Sequence, residues 1–351
     1  MGTNIIDALI LVSEKAANIA RICREDSHLL SLLVQEKKED EKNPRFAHDF
    51  KTFADVLVQE VVKYELGAKF PSLCGFIYGE ESNEFVCGRE TVFVEVKQTL
   101  KETEDLLLTV LGDPKAVSLL AEEVHRNITT SVNQTQHVSL PENLGIWIDP
   151  IDATAEYIRG GAEEIHKNIH SGLPTVTVLI GVFNRDTGEP VVGVINQPFH
   201  SKIDDKWNGR HIYGILIGEY QAVGPGCYPE CIDKVVAVSS SEDENLKNDL
   251  KENGYTIVEP PGAGYKLMSI IDGHLCAYIL TKPSTFLWDL CACHAILKAM
   301  GGDVLNFHTL KPIRYNRIEQ TVMGYCNEGG ILAFRNPAIR DELVGILRNS
   351  E

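Results

Sequence analysis

Short apolar stretches alternate with helical ones in the second half of the chain, and this alternation restricts the possible folds more than any other sequence feature. The apolar stretches have the length of buried strands and lie at 235–238, 255–258, 277–280 and 304–305. The stretches with helical spacing lie at 242–252, 265–271 and 289–300. Strands that alternate with helices predict a sheet covered by helices, because each apolar face must be buried against another element. We therefore expect an α/β lobe from residue 201 to residue 351.

The first half has a different pattern and predicts a mixed sheet packed on longer helices. Two β-rich runs at 175–183 and 191–195 are joined by a turn-rich linker at 184–189, which predicts an antiparallel hairpin. A further short strand is expected at 76–78, and helices are expected at 5–35, 52–64, 99–110 and 114–124. Thr52 and Asp55 have the spacing of a capping box. The charged run at 36–43 is predicted to be a solvated connection, and residues 1–200 form the N-terminal lobe in this interpretation.

Composition narrows the class of partner. The net charge of −17 makes a general nucleic-acid or membrane binder a poor hypothesis, because such binders need concentrated Lys and Arg. The apolar run near the N-terminus is too short to span a bilayer, so no membrane insertion is expected. Nine scattered cysteines are typical of reduced thiols, which predicts a cytoplasmic protein. The sequence does not give the oligomeric state, and a monomer is the simplest expectation.

Four acidic positions share a context, since each lies at the end of a predicted strand or the start of a predicted helix. They are Asp55, Glu80 with Glu81, Asp149 with Asp152, and Asp289. Taken singly, each has an ordinary explanation as a helix cap or a solvated turn. If the fold brings them together, each close pair repels by roughly 4 kcal/mol at an effective dielectric near 20, so the cluster must protonate or bind cations. Oxygen ligands without Cys or His favour Mg²⁺, with Mn²⁺ as a substitute.

Residues 147–154, which read Trp-Ile-Asp-Pro-Ile-Asp-Ala-Thr, contain the most informative of these positions. Asp149 and Asp152 stand three apart between an apolar strand and a predicted helix start. The amides of Ala153 and Thr154 open that helix and can bind an anion. An Asp-Pro turn followed by a helix cap is the alternative interpretation of the same residues.

Three motifs occur in the order and at the separations found in a known family. They are Gly-Glu-Glu-Ser at 79–82, the motif at 147–154, and Trp288-Asp289 followed by Ala292, Ile296-Leu297 and Gly301-Gly302. On these residues the chain resembles the lithium-sensitive, magnesium-dependent phosphomonoesterases. That superfamily includes inositol monophosphatase, fructose 1,6-bisphosphatase, the 3'(2'),5'-bisphosphate nucleotidases and the inositol polyphosphate 1-phosphatases. The resemblance is greatest to the last group, on segments 12–21, 49–60, 79–85, 193–199 and 262–266.

The resemblance implies a fold and a set of metal ligands. The fold is a layered α+β or α/β sandwich of the sugar-phosphatase type, with alternating αβαβα layers. One Mg²⁺ would be held by Glu80, Asp149 and the Ile151 carbonyl. A second would be shared by Asp55, Asp149, Asp152 and Asp289. Glu81 would lie at or near a further site, so two or three Mg²⁺ ions are expected.

The resemblance also implies catalytic and substrate-binding roles. Thr154, hydrogen-bonded to Asp55, would orient a water for in-line attack on phosphorus, and the Ala153 and Thr154 amides would hold the phosphate. The remaining substrate contacts would come from Ser241, Gly262, Ala263, Lys266, and Ser284 or Thr285. Lys266 is the best candidate for contacting a phosphate that is not cleaved, with an exposed lysine on a helix as the alternative.

Two positions depart from the family pattern. Ala153 stands where relatives usually have Gly or Ser, so a main-chain contact is retained and a serine hydroxyl contact is lost. A lysine is expected near position 243 in the vertebrate polyphosphate enzymes, and this chain has Asp243. The second phosphate contact is therefore in doubt.

The expected function is removal of the 1-phosphate from inositol 1,4-bisphosphate and inositol 1,3,4-trisphosphate in phosphatidylinositol signalling, dependent on Mg²⁺ and inhibited by Li⁺. A small phosphorylated inositol is the expected partner. The main alternative is a 3'(2'),5'-bisphosphate nucleotidase, since those enzymes share the Asp-x-Thr-x-Glu-Tyr run seen at 152–157. They tend to have Asn where Tyr265 stands, which favours the inositol substrate. A metal-free binding protein is a third hypothesis, and the intact acidic set argues against it.

Overall fold

Helices and strands follow one another along the whole chain. The computed structural model describes residues 4–25, 30, 34–38, 50–87, 90–128, 142–319 and 321–348. The α-helices are α1 Ile5–Glu25, α2 Phe53–Lys69, α3 Leu100–Leu111, α4 Pro114–His125, α5 Thr154–Arg159, α6 Glu244–Glu252, α7 Ala263–Ile271, α8 Leu287–Ala299 and α9 Pro337–Arg348. The strands are β1 Val34–Glu36, β2 Phe50–Thr52, β3 Ile77–Gly79, β4 Glu84–Cys87, β5 Glu90–Phe93, β6 Leu144–Asp152, β7 Ala162–His166, β8 Ile169–Gly172, β9 Thr177–Asn184, β10 Pro190–Ile203, β11 Lys206–Ile217, β12 Tyr220–Gly224, β13 Val235–Ala237, β14 Thr256–Val258, β15 Ala277–Leu280, β16 Asp303–Asn306 and β17 Ile331–Phe334.

The larger sheet has six strands in the order β12-β11-β10-β9-β6-β3. Its β3–β6 pair is parallel and the other pairs are antiparallel, so the sheet is mixed as expected. The predicted hairpin is confirmed, because β9 pairs antiparallel with β10. The sheet continues past residue 200 to the end of β12. The division into lobes at residue 200 stays a prediction.

The second sheet has five strands in the order β14-β13-β15-β17-β16. Strand β13 is parallel to both β14 and β15, whereas β17 is antiparallel to β15 and β16. The four strands predicted in this half are confirmed as β13 to β16. Three two-stranded ribbons, β1–β2, β4–β5 and β7–β8, complete the strand pairing of the described residues.

The apolar residues of each strand alternate between two cores, as the two-residue period of a strand requires. In β9, Val178 and Ile180 face the core that contains α1 and α2, while Leu179 and Phe183 face the core that contains α7 and α8. The smaller sheet divides in the same way between α8 on one face and α6 with α9 on the other. The layers are therefore αβαβα, and the layered fold is confirmed.

Helix α8 is the central layer, and all of its residues except Asp289 and Lys298 are buried. Its mostly apolar residues require such burial. It approaches the larger sheet closely at Gly193, where an added Cβ would lie 1.9 Å from the carbonyl oxygen of Ala292. Gly193 of β10 thus permits the short distance between sheet and helix, and with it the position of Asp289 in the first turn of α8.

The first helix is shorter than predicted. It ends at Glu25, and Val34–Glu36 is a strand paired with β2, so the expected helix through residue 35 is wrong at those positions. The pairing is made with residues near 50, which helical spacing within the segment cannot reveal. Most of the predicted charged connection at 36–43 lies outside the described residues.

Two further features concern the cysteines and the lengths of the helices. The eight cysteines whose side chains are described are free thiols. Within the ranges given above, no helix combines the length and the apolar character needed to cross a bilayer.

Candidate active site

A cavity of about 520 Å³ opens where the ends of β6 and β14 meet the start of α8. Its volume lies in the range of small-molecule sites. Eleven of the fourteen predicted site residues line it, namely Glu80, Asp149, Ile151, Asp152, Ala153, Thr154, Gly262, Ala263, Lys266, Ser284 and Asp289. Asp55, Glu81 and Ser241 do not belong to the lining. The sequence therefore located the cavity, and the three exceptions lie behind or beside it.

Three carboxylates converge at the floor of the cavity. Oxygen atoms of Asp149, Asp152 and Asp289 lie within 4.8 Å of one another, and no other acidic, His or Cys group in the described ranges meets that spacing. Residues three apart on a regular strand face opposite sides. Strand β6 avoids this because its register against β9 shifts between Asp149 and Asp152, a bulge that contains Pro150. The bulge turns both carboxylates of the motif toward the cavity.

The electrostatics of this group fit a divalent cation. Burial, and then Glu80 and the two neighbouring aspartates, raise the pKa of Asp149 well above its usual range. Burial and then Asp152 do the same to the pKa of Asp289. Among the described residues Asp149 Oδ1 is buried without a hydrogen-bond partner, which is rare for a native polar atom and fits a metal-ligating role. An all-carboxylate donor set with an orphaned oxygen suits a hard cation such as Mg²⁺.

Asp152 has more support than its two neighbours. Its Oδ2 accepts hydrogen bonds from the Gly264 amide at 2.8 Å and from Thr177 Oγ1 at 3.3 Å. Burial raises the pKa of Asp152, while the ammonium of Lys266 and the Gly264 amide act in the opposite direction. The start of α7 therefore fixes this carboxylate.

Asp55 lies behind the cavity, at the third position of α2. The predicted capping box is confirmed: Asp55 Oδ2 accepts from the Thr52 amide at 2.6 Å and from Thr52 Oγ1 at 2.5 Å, and the Asp55 amide donates back to Thr52 Oγ1. Thr154 Oγ1 lies 3.5 Å from Asp55 Oδ1 and 3.0 Å from the Ile151 carbonyl oxygen. Burial, and then Glu81, raise the pKa of Asp55 to about 8. The Asp55 side chain thus caps α2 and also contacts Thr154 at the edge of the site.

Glu80 and Glu81 are paired with lysines that sequence reasoning missed. Lys37 Nζ contacts Glu80 Oε1 and lies 2.9 Å from Glu81 Oε1, and Lys51 Nζ lies 3.9 Å from Glu81 Oε2. Gln59 holds the Glu81 main chain through its side-chain amide. Burial raises the pKa of Glu81 to about 7, and Lys37 opposes that rise. No local pattern marks these lysines, because their partners lie thirty or more residues away.

Ala153 adopts a left-handed conformation, with φ 67° and ψ 43°, just before α5. This conformation is uncommon for a residue with a Cβ and is usual for glycine. It explains why a small residue stands here. Ala153 lines the cavity and forms the junction from β6 into α5.

The residues expected to bind substrate divide into two groups. Gly262, Ala263, Lys266 and Ser284 line the cavity, and so does Thr285. Lys266 is buried, with Nζ 3.3 Å from the Gly262 carbonyl oxygen, so the alternative of an exposed helix lysine is wrong. Ser241 is exposed and bonds Ser239, and Ser240 lines the cavity in its place.

Asp243 and Asp289 both lie at the start of a helix, and only Asp243 is an N-cap. Asp243 is the N-cap of α6, where its Oδ1 accepts from the amides of Asn245 and Leu246. Asp289 is at the third position of α8 and accepts a hydrogen bond from the Phe286 amide at 2.7 Å, so it is not the N-cap.

Sequence reasoning also missed Arg159 and Glu259, which line the cavity. Both are ordinary surface residue types in loops or short helices, and nothing in their spacing distinguishes them.

Comparison with known proteins identifies the family of this chain. The sequence matches the profile described as "Inositol monophosphatase family" over residues 11–333. The chain therefore belongs to the inositol monophosphatase family, and it is an enzyme, a phosphatase of that family.

The chain is most usefully compared with individual relatives by sequence identity. It is 39% identical to inositol polyphosphate 1-phosphatase of Mus musculus and 40% identical to that of Bos taurus, over 95% of this chain and 94% of each relative. It is 30% identical to 3'(2'),5'-bisphosphate nucleotidase 1 of Mus musculus, over 82% of this chain and 79% of that one.

Solved structures confirm the fold. An IMPase from Thermotoga maritima matches with a TM-score of 0.59 and 15% identity, over 98% of this chain and 97% of that one. A second match is an IMPase/NADP phosphatase whose structure was solved with Mg²⁺ and phosphate. Its TM-score is 0.55 and its identity 16%, over 97% of this chain and 94% of that one.

Proposed function

We propose that the protein is a Mg²⁺-dependent, lithium-inhibited phosphomonoesterase that removes the 1-phosphate of inositol 1,4-bisphosphate and inositol 1,3,4-trisphosphate. The observation that carries the proposal is the convergence of Asp149, Asp152 and Asp289, with a buried unpartnered oxygen, on a cavity of small-molecule size. Identity of about 40% over nearly the whole chain to inositol polyphosphate 1-phosphatases supports the substrate.

The acidic residues would hold the metal ions. Asp149, Asp152 and Asp289 are the central ligands, with Asp55, Glu80, Glu81 and the Ile151 carbonyl completing two or three sites. Mg²⁺ bound there supplies Lewis-acid stabilisation of the charge on the phosphoryl oxygens. This accounts for the use of an anionic substrate by a chain with a net charge of −17.

The residues of the chain itself position the reactants. Thr154 Oγ donates to Asp55 Oδ1 or to the Ile151 carbonyl, which leaves its lone pairs free to accept from a water. A water that donates a hydrogen bond to this oxygen would present its own oxygen to a phosphorus atom held above the carboxylates. The Ala153 and Thr154 amides hold the phosphate, as main-chain donors at the start of α5. The charge of Lys266 opposes the rise that burial causes in the pKa of Asp152, and so favours the ionised form of this carboxylate.

The alternative substrate is a nucleoside 3',5'-bisphosphate. The 30% identity to a bisphosphate nucleotidase keeps this hypothesis open. The greater identity and coverage for the inositol enzymes argue for the first choice. Tyr265 argues for it as well, because the nucleotidases tend to have Asn at this position. The ring of Tyr265 is buried at the start of α7, and its hydroxyl accepts a hydrogen bond from the His170 amide at 3.0 Å.

One experiment separates the alternatives. The purified protein is given Mg²⁺ and, in separate reactions, inositol 1,4-bisphosphate, inositol 1-phosphate or adenosine 3',5'-bisphosphate, each with and without Li⁺. We expect phosphate to be released from inositol 1,4-bisphosphate, and we expect Li⁺ to suppress this release. Release from the nucleotide alone would replace the first proposal with the second, and release from none would return the binding-protein hypothesis.

A further inference from the structure

The far side of the cavity is formed by the carboxyl ends of three neighbouring parallel strands. Strand β14 leads into Glu259 and Gly262, β13 leads into Ser240, and β15 leads into Ser284, and all four residues line the cavity. Loops that follow neighbouring parallel strands emerge at one edge, where ligands of α/β sheets usually bind. A substrate group that extends away from the carboxylates would therefore meet these loops.

Lys282 lies in the loop after β15, between lining residues. Its Nζ donates to the carbonyl oxygen of Ser241, in the loop after β13, and its side chain is exposed to solvent. The loop is anchored one residue earlier. Both carboxylate oxygens of the buried Glu242 accept hydrogen bonds from Thr281, from its amide at 3.0 Å and from its hydroxyl at 2.5 Å. The structure thus fixes the backbone on which Lys282 stands. Lys282 itself does not line the cavity, but it lies two residues before the lining residue Ser284, and its Nζ contacts the residue that follows the lining residue Ser240.

The other cations near the cavity have acidic partners. Lys37 pairs with Glu80 and Glu81, Arg159 with Glu156, Lys247 with Glu244 and Glu259, and Lys266 acts on Asp152. Within the described part of the chain, no carboxylate lies within 4.0 Å of Lys282 Nζ. Its contact is with a neutral carbonyl, so an arriving anion displaces no ion pair.

Asp243 cannot supply this charge. It caps α6 through its carboxylate, so the first turn of that helix presents a negative group near Ser241. An anion bound at this end of the cavity needs a cation from another loop. Lys266 lines the cavity from α7, and Lys282 is a second cation, held at the Ser241 carbonyl in the loop beside Asp243.

We propose that Lys282 binds a phosphate of the substrate that is not cleaved, and that it thereby makes the enzyme prefer inositol bisphosphates over inositol monophosphates. The inference rests on the proposed function, since it concerns substrate choice at the same site. Lys282 acts as a binding residue beside the cavity and takes no part in the cleavage step.

The test compares four proteins on two substrates. Wild type, Lys282→Met, Lys282→Arg and the control Lys251→Met are assayed with inositol 1,4-bisphosphate and inositol 1-phosphate at saturating Mg²⁺. Lys251 is an exposed lysine at the other end of α6, so its replacement makes the same change in net charge away from the cavity. Lys282→Met should raise KM for the bisphosphate about tenfold with kcat nearly unchanged, the loss of one charge-assisted hydrogen bond.

The second substrate and the other two variants distinguish a role of Lys282 in substrate binding from a role in folding. KM for inositol 1-phosphate should be unchanged in Lys282→Met, which also shows that the variant is folded. Lys282→Arg should retain most of the bisphosphate affinity, and Lys251→Met should match wild type. Equal changes for both substrates, no change in Lys282→Met, or the same change in Lys251→Met would overturn the inference alone. If wild type cleaves neither inositol substrate, the proposed function fails first and the inference falls with it.

Discussion

At the scale of single residues, the site is a set of buried carboxylates that are unfavourable without a cation. Burial disfavours the charged form of Asp149, and its acidic neighbours disfavour it further. Without a cation the surroundings therefore favour the neutral form of this side chain, and a neutral amide of the same shape is a close substitute. Ligand function and folding stability make opposite demands on the same residue.

Asp149→Asn tests this opposition. We expect activity to fall by at least about a thousandfold, since a central ligand and its charge are lost. We expect the melting temperature in EDTA to be equal to or above that of wild type, because repulsion among the carboxylates is reduced. Phosphate release and thermal unfolding with and without Mg²⁺ measure the two effects.

The control is Asp105→Asn, on the exposed face of α3. It should leave both activity and the Mg²⁺-dependent rise in melting temperature unchanged. A large drop in the metal-free melting temperature of Asp149→Asn would show that this carboxylate stabilises the fold, contrary to the argument.

The same carboxylates predict how the stability of the metal-free protein depends on pH. Burial raises the pKa of Asp55 to about 8 and the pKa of Glu81 to about 7. Both groups are ionised in the unfolded chain above about pH 5. Between pH 6.5 and 8 the folded state therefore binds protons that the unfolded state has lost, and the free energy of unfolding falls as the pH rises.

The lower limit of that window is set by histidines. Burial lowers the pKa of His125, His200, His274 and His294 from its usual value near 6.5, which acts in the opposite direction at lower pH. Urea unfolding in EDTA should show stability decreasing from pH 6.5 to 8, with a smaller decrease in Asp55→Asn. Mg²⁺ should stabilise wild type more at pH 8 than at pH 6.5. Stability that rises across this window would contradict the assigned pKa shifts.

At the scale of elements, two helices begin with the same capping box in different surroundings. Thr52 caps α2 through Asp55, which lies at the site, while Thr99 caps α3 through Glu102, which is exposed. Each box satisfies two orphan amides of its helix. The pair separates the contribution of a cap to stability from its contribution to catalysis.

Thr52→Ala and Thr99→Ala should each lower the free energy of unfolding by about 1 kcal/mol, the usual effect of losing a cap. Only Thr52→Ala should lower kcat, by about tenfold or more, because Asp55 loses the partner that orients it. Chemical denaturation and steady-state kinetics on both variants provide the comparison. A parallel loss of kcat in Thr99→Ala would mean that general destabilisation, and not the position of Asp55, limits activity.

The elements also show what could be predicted from the sequence. The Thr52–Asp55 box and strands β13 to β16 were predictable, because their signals lie within a few residues of each other. Strand β17 was not, since it is defined by antiparallel pairing with β15 and β16. The contact of Lys37 with Glu81 spans 44 positions and leaves no periodic trace. The convergence of Asp149 with Asp289 was expected only through family resemblance, since local patterns do not determine which distant loops meet.

At the scale of the whole molecule, the site depends on how one central helix packs between two sheets. Asp289 lies in the first turn of α8, and Asp149 and Asp152 lie on the larger sheet. The carboxylates meet only if α8 lies close against that sheet. Gly193 of β10 permits the approach, since a methyl group there would lie 1.9 Å from the main-chain oxygen of Ala292.

Gly193→Ala should therefore damage folding and the site together. We expect the free energy of unfolding to fall by about 3 kcal/mol, the upper end for overpacking, because the obstacle is a helix backbone that cannot rotate away. The stabilisation by Mg²⁺ should shrink as well, since displacement of α8 moves Asp289. Gly345→Ala is the matched control: Gly345 lies in α9 with open space around its added methyl, so stability should rise by up to about 1 kcal/mol. Unfolding in urea with EDTA and with Mg²⁺ measures both terms, and a Gly193→Ala protein with undiminished Mg²⁺ stabilisation would show that the metal site tolerates movement of α8.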